Sequence, residues 1–372
     1  MNNRPPSKHT LAKAWLATAS LLFAAYGQAN PALPGGLASV NRQDHTAFSQ
    51  PSANMPIQRR LDFSVGNSFF RSPWVPAPSS TDARDGLGPL FNSNACQNCH
   101  LQDGRGKPPA ANEDPVSLLL RISIPNNNNP KHGVQAEPTY GTQLHNRAIL
   151  GVAPPARLRI SYQEIPTSLS DGTIISLRQP KLHISDLAYG PLAPSTQFSL
   201  RLAPAMIGLG LLAAISEHSL TQQEDPNDKN KDGISGRGNR VWDINQQRLS
   251  LGRFGWKAGQ PSLAQQNASA FAHDMGIANS LVQPNCPQAE QAKACREAPN
   301  GGALELAPPL AEQVNFYSAN LAVPKARPLD ASVQTEGAAL FNQLKCSACH
   351  TPRFITGTAD DKPGTSDKPG TR

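Results

Sequence analysis

The chain has 372 residues, 38% hydrophobic and 16% charged, with a formal net charge of +7. Its 35 prolines and 28 glycines imply much irregular structure. No dense Lys/Arg run is interleaved with aromatic residues, which argues against nucleic-acid binding, and no apolar run reaches membrane-spanning length.

Residues 1–29 read as a secretory signal peptide. Arg4, Lys8 and Lys13 precede an apolar run from Ala14 to Tyr26, and Gly27-Gln28-Ala29 supplies the cleavage region. Cleavage is expected after Ala29, with a retained signal anchor as the alternative. Export places the mature protein in the periplasm, without a membrane span. Losing these three cations leaves about +4, a balance that suits an acidic redox partner or simple solubility. The mature length suits two or so domains.

Residues 30–60, rich in Pro, Asn and Gln, read as a loose N-terminal segment. The next stretch holds Cys96-Gln-Asn-Cys99-His100, the attachment pattern of a c-type haem. Two thiols form thioethers to the porphyrin, and the following His binds the iron. The pattern recurs at Cys346-Ser-Ala-Cys349-His350, with Leu-Phe-Asn at the same offset before each (Leu90-Phe91-Asn92 and Leu340-Phe341-Asn342). The apolar pair is expected to end a helix at the haem edge. In the second copy that helix is expected to start near Thr335. Cys96, Cys99, Cys346 and Cys349 are therefore the tethering residues, and His100 and His350 the axial ligands. A redox Cys-x-x-Cys would need a thioredoxin-like βαβ context, which is not visible. A Cys₄ zinc site would bring its pairs within about 20 residues of each other.

Leu118–Ile124, Arg157–Ile165 and Thr173–Leu182 alternate apolar and polar residues and read as strands, with a loop at Asn126–Asn129. Residues 203–216 read as a buried helix with Pro204 in its first turn; 262–275 and 304–322 read as two more. Asp228, Asn230, Asp232 and Gly233 match the first half of an EF-hand loop, with the Ile234 carbonyl as a further ligand. Asn239 stands where the bidentate Glu belongs, so calcium is weighed against a solvated acidic turn. Cys286 and Cys295 are expected to form a local disulfide in an oxidising compartment.

Peroxide cleavage needs a group that moves a proton between the two oxygens. Glu137, with Gln143 nearby, is the candidate, against a structural Glu. Trp256, flanked by Arg253 and Lys257, is the candidate electron relay, against a packed core Trp. Met55, Met206, Met275, His132, His145, His183, His218 and His273 are possible sixth ligands. After His350 the chain is short and ends in a repeated Asp-Lys-Pro-Gly-Thr, which cannot build a core. The second haem domain is expected to be truncated, or completed by a partner.

Together these motifs resemble the bacterial di-haem oxidoreductases, a family of peroxidases or thiol oxidoreductases related to the di-haem cytochrome c peroxidases. The resemblance rests on Gly88-Pro-Leu-Phe-Asn with the first haem motif, Glu137-Pro-Thr-Tyr-Gly-Thr-Gln-Leu, Tyr189-Gly-Pro-Leu, Ala203-Pro-Ala-Met-Ile-Gly-Leu-Gly, Asp232-Gly-Ile-Ser-Gly-Arg and Gly252-Arg-Phe-Gly-Trp-Lys. It implies a mainly α protein: two cytochrome c-like haem domains with a small β insertion. The expected boundaries are 61–330 for the first domain, 331–358 for the start of the second, and 359–372 for a low-complexity tail. It implies peroxide as oxidant and a small redox protein or other electron donor as partner. The alternatives are a non-catalytic di-haem electron carrier and an oxidase of a protein or organic donor.

Overall fold

The computed structural model describes residues 30–125 and 133–357. The signal segment, the 126–129 loop, His132 and the 359–372 tail lie outside the described residues. In chain order the elements used below are α1 (Arg60–Arg71), β1 (Leu90–Phe91), α2 (Cys96–Cys99), β2 (Leu118–Ser123), β3 (Gln143–Leu144), β4 (Arg147–Ala148), β5 (Arg157–Ser168), β6 (Ile174–Ser185), β7 (Gln197–Leu202), α3 (Leu209–Ala214), α4 (Glu217–Thr221), β8 (Arg240–Asp243), β9 (Arg248–Leu251), α5 (Leu263–Asp274), α6 (Pro308–Ala319) and α7 (Ala331–Gln343).

One core is helical. Phe63, Gly66 and Phe70 recur at helical spacing and give α1 a single buried face. At Gly66 a Cβ would lie 2.2 Å from the Gln313 carbonyl oxygen, so the missing side chain is what lets α1 approach α6. Phe70 and Tyr317 pack with ring centroids 5.3 Å apart, and Trp74 meets Phe271 of α5 edge-on at 5.7 Å. Ser262 caps α5 by accepting from the Gln265 amide.

The second core is built on strands. β2 is central in a three-stranded antiparallel sheet, order β3-β2-β7. Leu120 and Ile122 face that core with Leu144 and Leu158. The alternate positions Leu119 and Arg121 turn the other way. β5 and β6 form a hairpin of 12 residues a side, buried at its base and exposed toward the 169–173 tip.

The mainly α expectation is corrected: the chain has 28% helix and 20% strand, spread over several small sheets. Proline and glycine end the helices early. The helix expected over 203–216 is only the six residues of α3. β7 runs to Leu202, and Gly208 begins the turn with φ +74°. The small β insertion becomes four separate sheets.

The two Leu-Phe-Asn copies also differ. Gly88 and Pro89 disfavour helix before the first, and Leu90–Phe91 pairs as β1 with β4. The second lies inside α7, preceded by the good helix formers Ala338 and Ala339. α7 begins at Ala331, not near Thr335, and none of its residues is buried. A second cytochrome c-like domain is therefore not formed among the described residues.

Residues 30–60 wrap the surface in short turns, held by bridges from Val40 to Pro324 and from Pro51 to Leu321.

Candidate functional site

The first Cys-x-x-Cys-His folds as one helical turn, closed by the His100 amide donating to the Cys96 carbonyl. Both thiols are free. Burial, then the nearby Asp274 carboxylate, pushes the Cys99 thiol up to about 12 and raises Cys96 as well. A redox-active pair needs the opposite shift, so these thiols are poor nucleophiles by themselves. His100 Nδ1 lies 2.8 Å from the Pro204 carbonyl oxygen. That acceptor places the proton on Nδ1 and leaves the Nε2 lone pair for a metal. Burial holds the His100 pKa below 6.5, which keeps the ring neutral.

Cys96, Cys99 and His100 line a cavity of about 680 Å³. Phe70, Met206, Phe271 and Met275 give it apolar surface. The register of β2 and β7 sets Leu119 opposite Arg201 and Arg121 opposite Ser199, so both arginines reach the cavity from one sheet face. Burial lowers both guanidinium pKa values, a sign of cations held out of water. Arg240 and Lys257 line the cavity too. A flat apolar group carrying carboxylates suits these walls, and the paired thiols with the neutral imidazole suit its covalent attachment and metal ligation. The residues present therefore fit a haem.

One wall is a buried polar network. Gln143 Nε2 donates to Asn92 Oδ1 (2.8 Å) and Asp274 Oδ1 (2.9 Å), while Gln143 Oε1 accepts from Arg121 (2.8 Å). Asp274 lines the cavity, and burial raises its carboxyl pKa, partly offset by Gln143 and Arg121. Gln143 and Thr142 also line a second cavity, of about 580 Å³, that holds His145 and His273. His145 Nε2 donates to the His273 carbonyl oxygen (2.6 Å), and His273 Nδ1 to the Ser269 carbonyl oxygen (2.9 Å). Burial pulls both histidines down to about 4.

Those histidines make stability depend on pH. Their folded pKa values lie below the unfolded value of 6.5, so between about pH 6.5 and 4 the unfolded chain binds protons that the folded chain refuses. Their contribution is complete above about pH 6.5 and is lost as the pH falls toward 4. Asp274, raised by burial, acts in the opposite sense and offsets part of the loss. Chemical denaturation across this range should show unfolding coupled to proton uptake, and H273Q should reduce that uptake by about one proton. An unchanged slope in H273Q would contradict the assignment.

The sequence-predicted residues separate in space. Gln143 and Trp256 line the first cavity; Trp256 is 43% exposed and its Nε1 donates to the Leu202 carbonyl oxygen at 3.1 Å. Glu137 is buried elsewhere, and its carboxylate accepts from the amides of Thr139 (2.8 Å), Tyr140 (2.6 Å) and Ala193 (2.9 Å), which pins a turn to the 193 loop. Among the possible sixth ligands, Met206 and Met275 line the first cavity, and His145 and His273 the second. Met55 packs in the helical core, and His183 Nε2 lies 2.7 Å from Ser161 Oγ on the exposed hairpin.

In the EF-hand-like loop the acceptors turn onto its own backbone. Asp228 Oδ1 accepts from the Asp232 amide and Asp232 Oδ1 from the Ile234 amide, while Asn230 Nδ2 donates to Asp232 Oδ2. Among the described residues there is no cluster of three His, Cys, Asp or Glu that could hold a metal ion. Cys286 and Cys295 are joined in a disulfide, with Cα atoms 5.8 Å apart.

Cys346, Cys349 and His350 sit on an exposed segment after α7, with His350 6.1 Å from the Phe341 ring. The segment meets the body through Thr351 and Gln223, and through a bridge between Ile215 and Thr356. Arg121, Arg201 and Asp274 went unrecognised in the sequence. The one available signal was a lone Arg inside the apolar run Leu118–Ser123.

A family model described as "Di-haem oxidoreductase, putative peroxidase" matches residues 34–368. No curated protein and no solved structure matches the chain.

Proposed function

The chain belongs to the di-haem oxidoreductase family, and from that premise we propose that it is a periplasmic peroxidase-type enzyme with two covalent c-type haems. The observation that carries this reading is the His100 to Pro204 contact beside two buried thiols on an arginine-lined cavity. When bound, the haems supply redox-active iron that accepts single electrons and reacts with peroxide.

The chain's own residues do the rest. Cys96 and Cys99 fix the first group covalently, and Cys346 and Cys349 the second. The Pro204 carbonyl holds His100 in the tautomer that offers Nε2. Arg121 and Arg201, with Lys257 also in the lining, would hold the carboxylates of the bound group. Gln143 holds the Arg121 and Asp274 side chains in place. Trp256, partly exposed at the cavity mouth, is the proposed relay for electrons. The second motif, exposed after α7, is the proposed contact for a small redox protein. Overall, hydrogen peroxide, two electrons and two protons give two waters.

Location outside the cytoplasm is supported by the Cys286–Cys295 disulfide and by the signal-like sequence of residues 1–29. Among the described residues no helix is long and apolar enough to cross a membrane. Calcium is not used in the proposal.

A second reading is favoured by one observation. Met206 and Met275 both line the cavity, and a thioether in the sixth position would give an electron carrier. Electron paramagnetic resonance of the purified ferric holoprotein, with stopped-flow mixing against hydrogen peroxide, separates the two. The enzyme is expected to show one high-spin iron that reacts with peroxide. Two low-spin, inert irons would leave the carrier.

A further inference from the structure

The peroxidase reading leaves open which side chain handles the proton, and Glu137 is held away from the cavity by three backbone amides. The geometry points to Asp274 as the group that exchanges protons with the ligand bound in the first haem cavity. This inference rests on that reading for its oxidant.

Three observations converge. First, Asp274 lines the same cavity as Cys96, Cys99 and His100. Second, its backbone is fixed to the haem module: the amides of Asn92 (2.8 Å) and Ser93 (3.2 Å) both donate to the Asp274 carbonyl oxygen, and the Gly88 amide to that of Met275. Third, one side-chain oxygen is held and the other is not. Oδ1 accepts from Gln143 Nε2 at 2.9 Å, while Oδ2 takes no hydrogen bond among the described residues. A carboxylate oriented through one oxygen with the other available is what a proton shuttle needs.

The groups facing it are Gln143 from β3, Arg121 from β2, Asn92, the two motif cysteines and the adjacent His273. Thioether formation removes both thiol protons, so Arg121 is the one fixed charge among them. It lies against Gln143, the same side chain that holds Asp274.

In the proposed step the Asp274 carboxylate takes the proton from one peroxide oxygen and returns it to the other as the O–O bond breaks. The two electrons come from the redox-protein donor through the haems, and the two further protons from solvent.

The test uses the ferric holoprotein and its D274N and D274E variants. Cyanide association, which also requires loss of a ligand proton, is followed across pH by stopped flow, beside the peroxide reaction. D274N is expected to slow the peroxide reaction by about 10²-fold or more and to remove the carboxyl inflection from the cyanide profile, with haem content unchanged. D274E is expected to keep the inflection at a displaced pH. An unchanged cyanide profile in both variants would overturn the role of Asp274. If D274N fails to take up haem, D274E decides: a profile superimposable on the native one refutes the assignment. A native protein inert to peroxide would refute the peroxidase reading alone, because the cyanide profile reports on Asp274 independently.

Discussion

A C96S/C99S double variant is expected to carry one haem instead of two and to lose peroxide turnover. Its stability should fall as well, because the first cavity lies between the β2–β7 sheet face and α5. Without the porphyrin, Arg121 and Arg201 lose the carboxylates of the bound group, and only Arg121 keeps a nearby carboxyl, that of Asp274. The matching C346S/C349S variant should lose the same mass but little stability, since its motif follows a helix with no buried residue. Intact-mass spectrometry gives the haem count, and thermal unfolding gives the asymmetry. Equal losses of stability in the two variants would contradict a built first pocket and an open second one.

G88A is expected to destabilise the protein by on the order of 3 kcal/mol, near the upper end for overpacking. A Cβ at Gly88 would sit 2.1 Å from the Gly276 carbonyl oxygen and 2.5 Å from its Cα. Both partners are backbone and cannot rotate away. Gly276 has φ +67°, and a Cβ there would lie 2.6 Å from the Leu90 carbonyl oxygen, so neither side of the crossing can yield. The crossing aligns the chain before Cys96 with the end of α5, and therefore sets Asp274 against the haem cavity. G337A is the control. That position lies in exposed α7 with nothing within 4 Å, and replacing Gly there should stabilise the helix by up to about 1 kcal/mol. Denaturant unfolding measures both, and a neutral G88A would show that the crossing is looser than described.

Local chemistry was legible in the sequence, and assembly was not. The α5 boundaries and the Cys286–Cys295 pair depend on neighbours close in the chain, and their patterns could be read directly. The fold class could not, because Pro and Gly cut several expected helices short and the strands paired across long separations. Leu-Phe-Asn shows the limit clearly: one tripeptide is a strand after Gly88-Pro89 and a helix after Ala338-Ala339. Arg121 and Arg201 meet through strand register, and Asp274 reaches the cavity through a backbone crossing; neither relation leaves a local pattern. The sequence offers Glu137 as a carboxylate able to move a proton between peroxide oxygens. Only the three-dimensional arrangement shows its oxygens taken by amides.

The unequal exposure of the two motifs also bears on how the molecule is made. Cys99 is buried, so on the two-haem proposal a folded chain without porphyrin would shield this thiol from attachment. Cys349 is exposed and stays reachable after the body has folded. On that proposal the first porphyrin is expected to be installed before the body closes, while the second can be added late, which would give maturation an order.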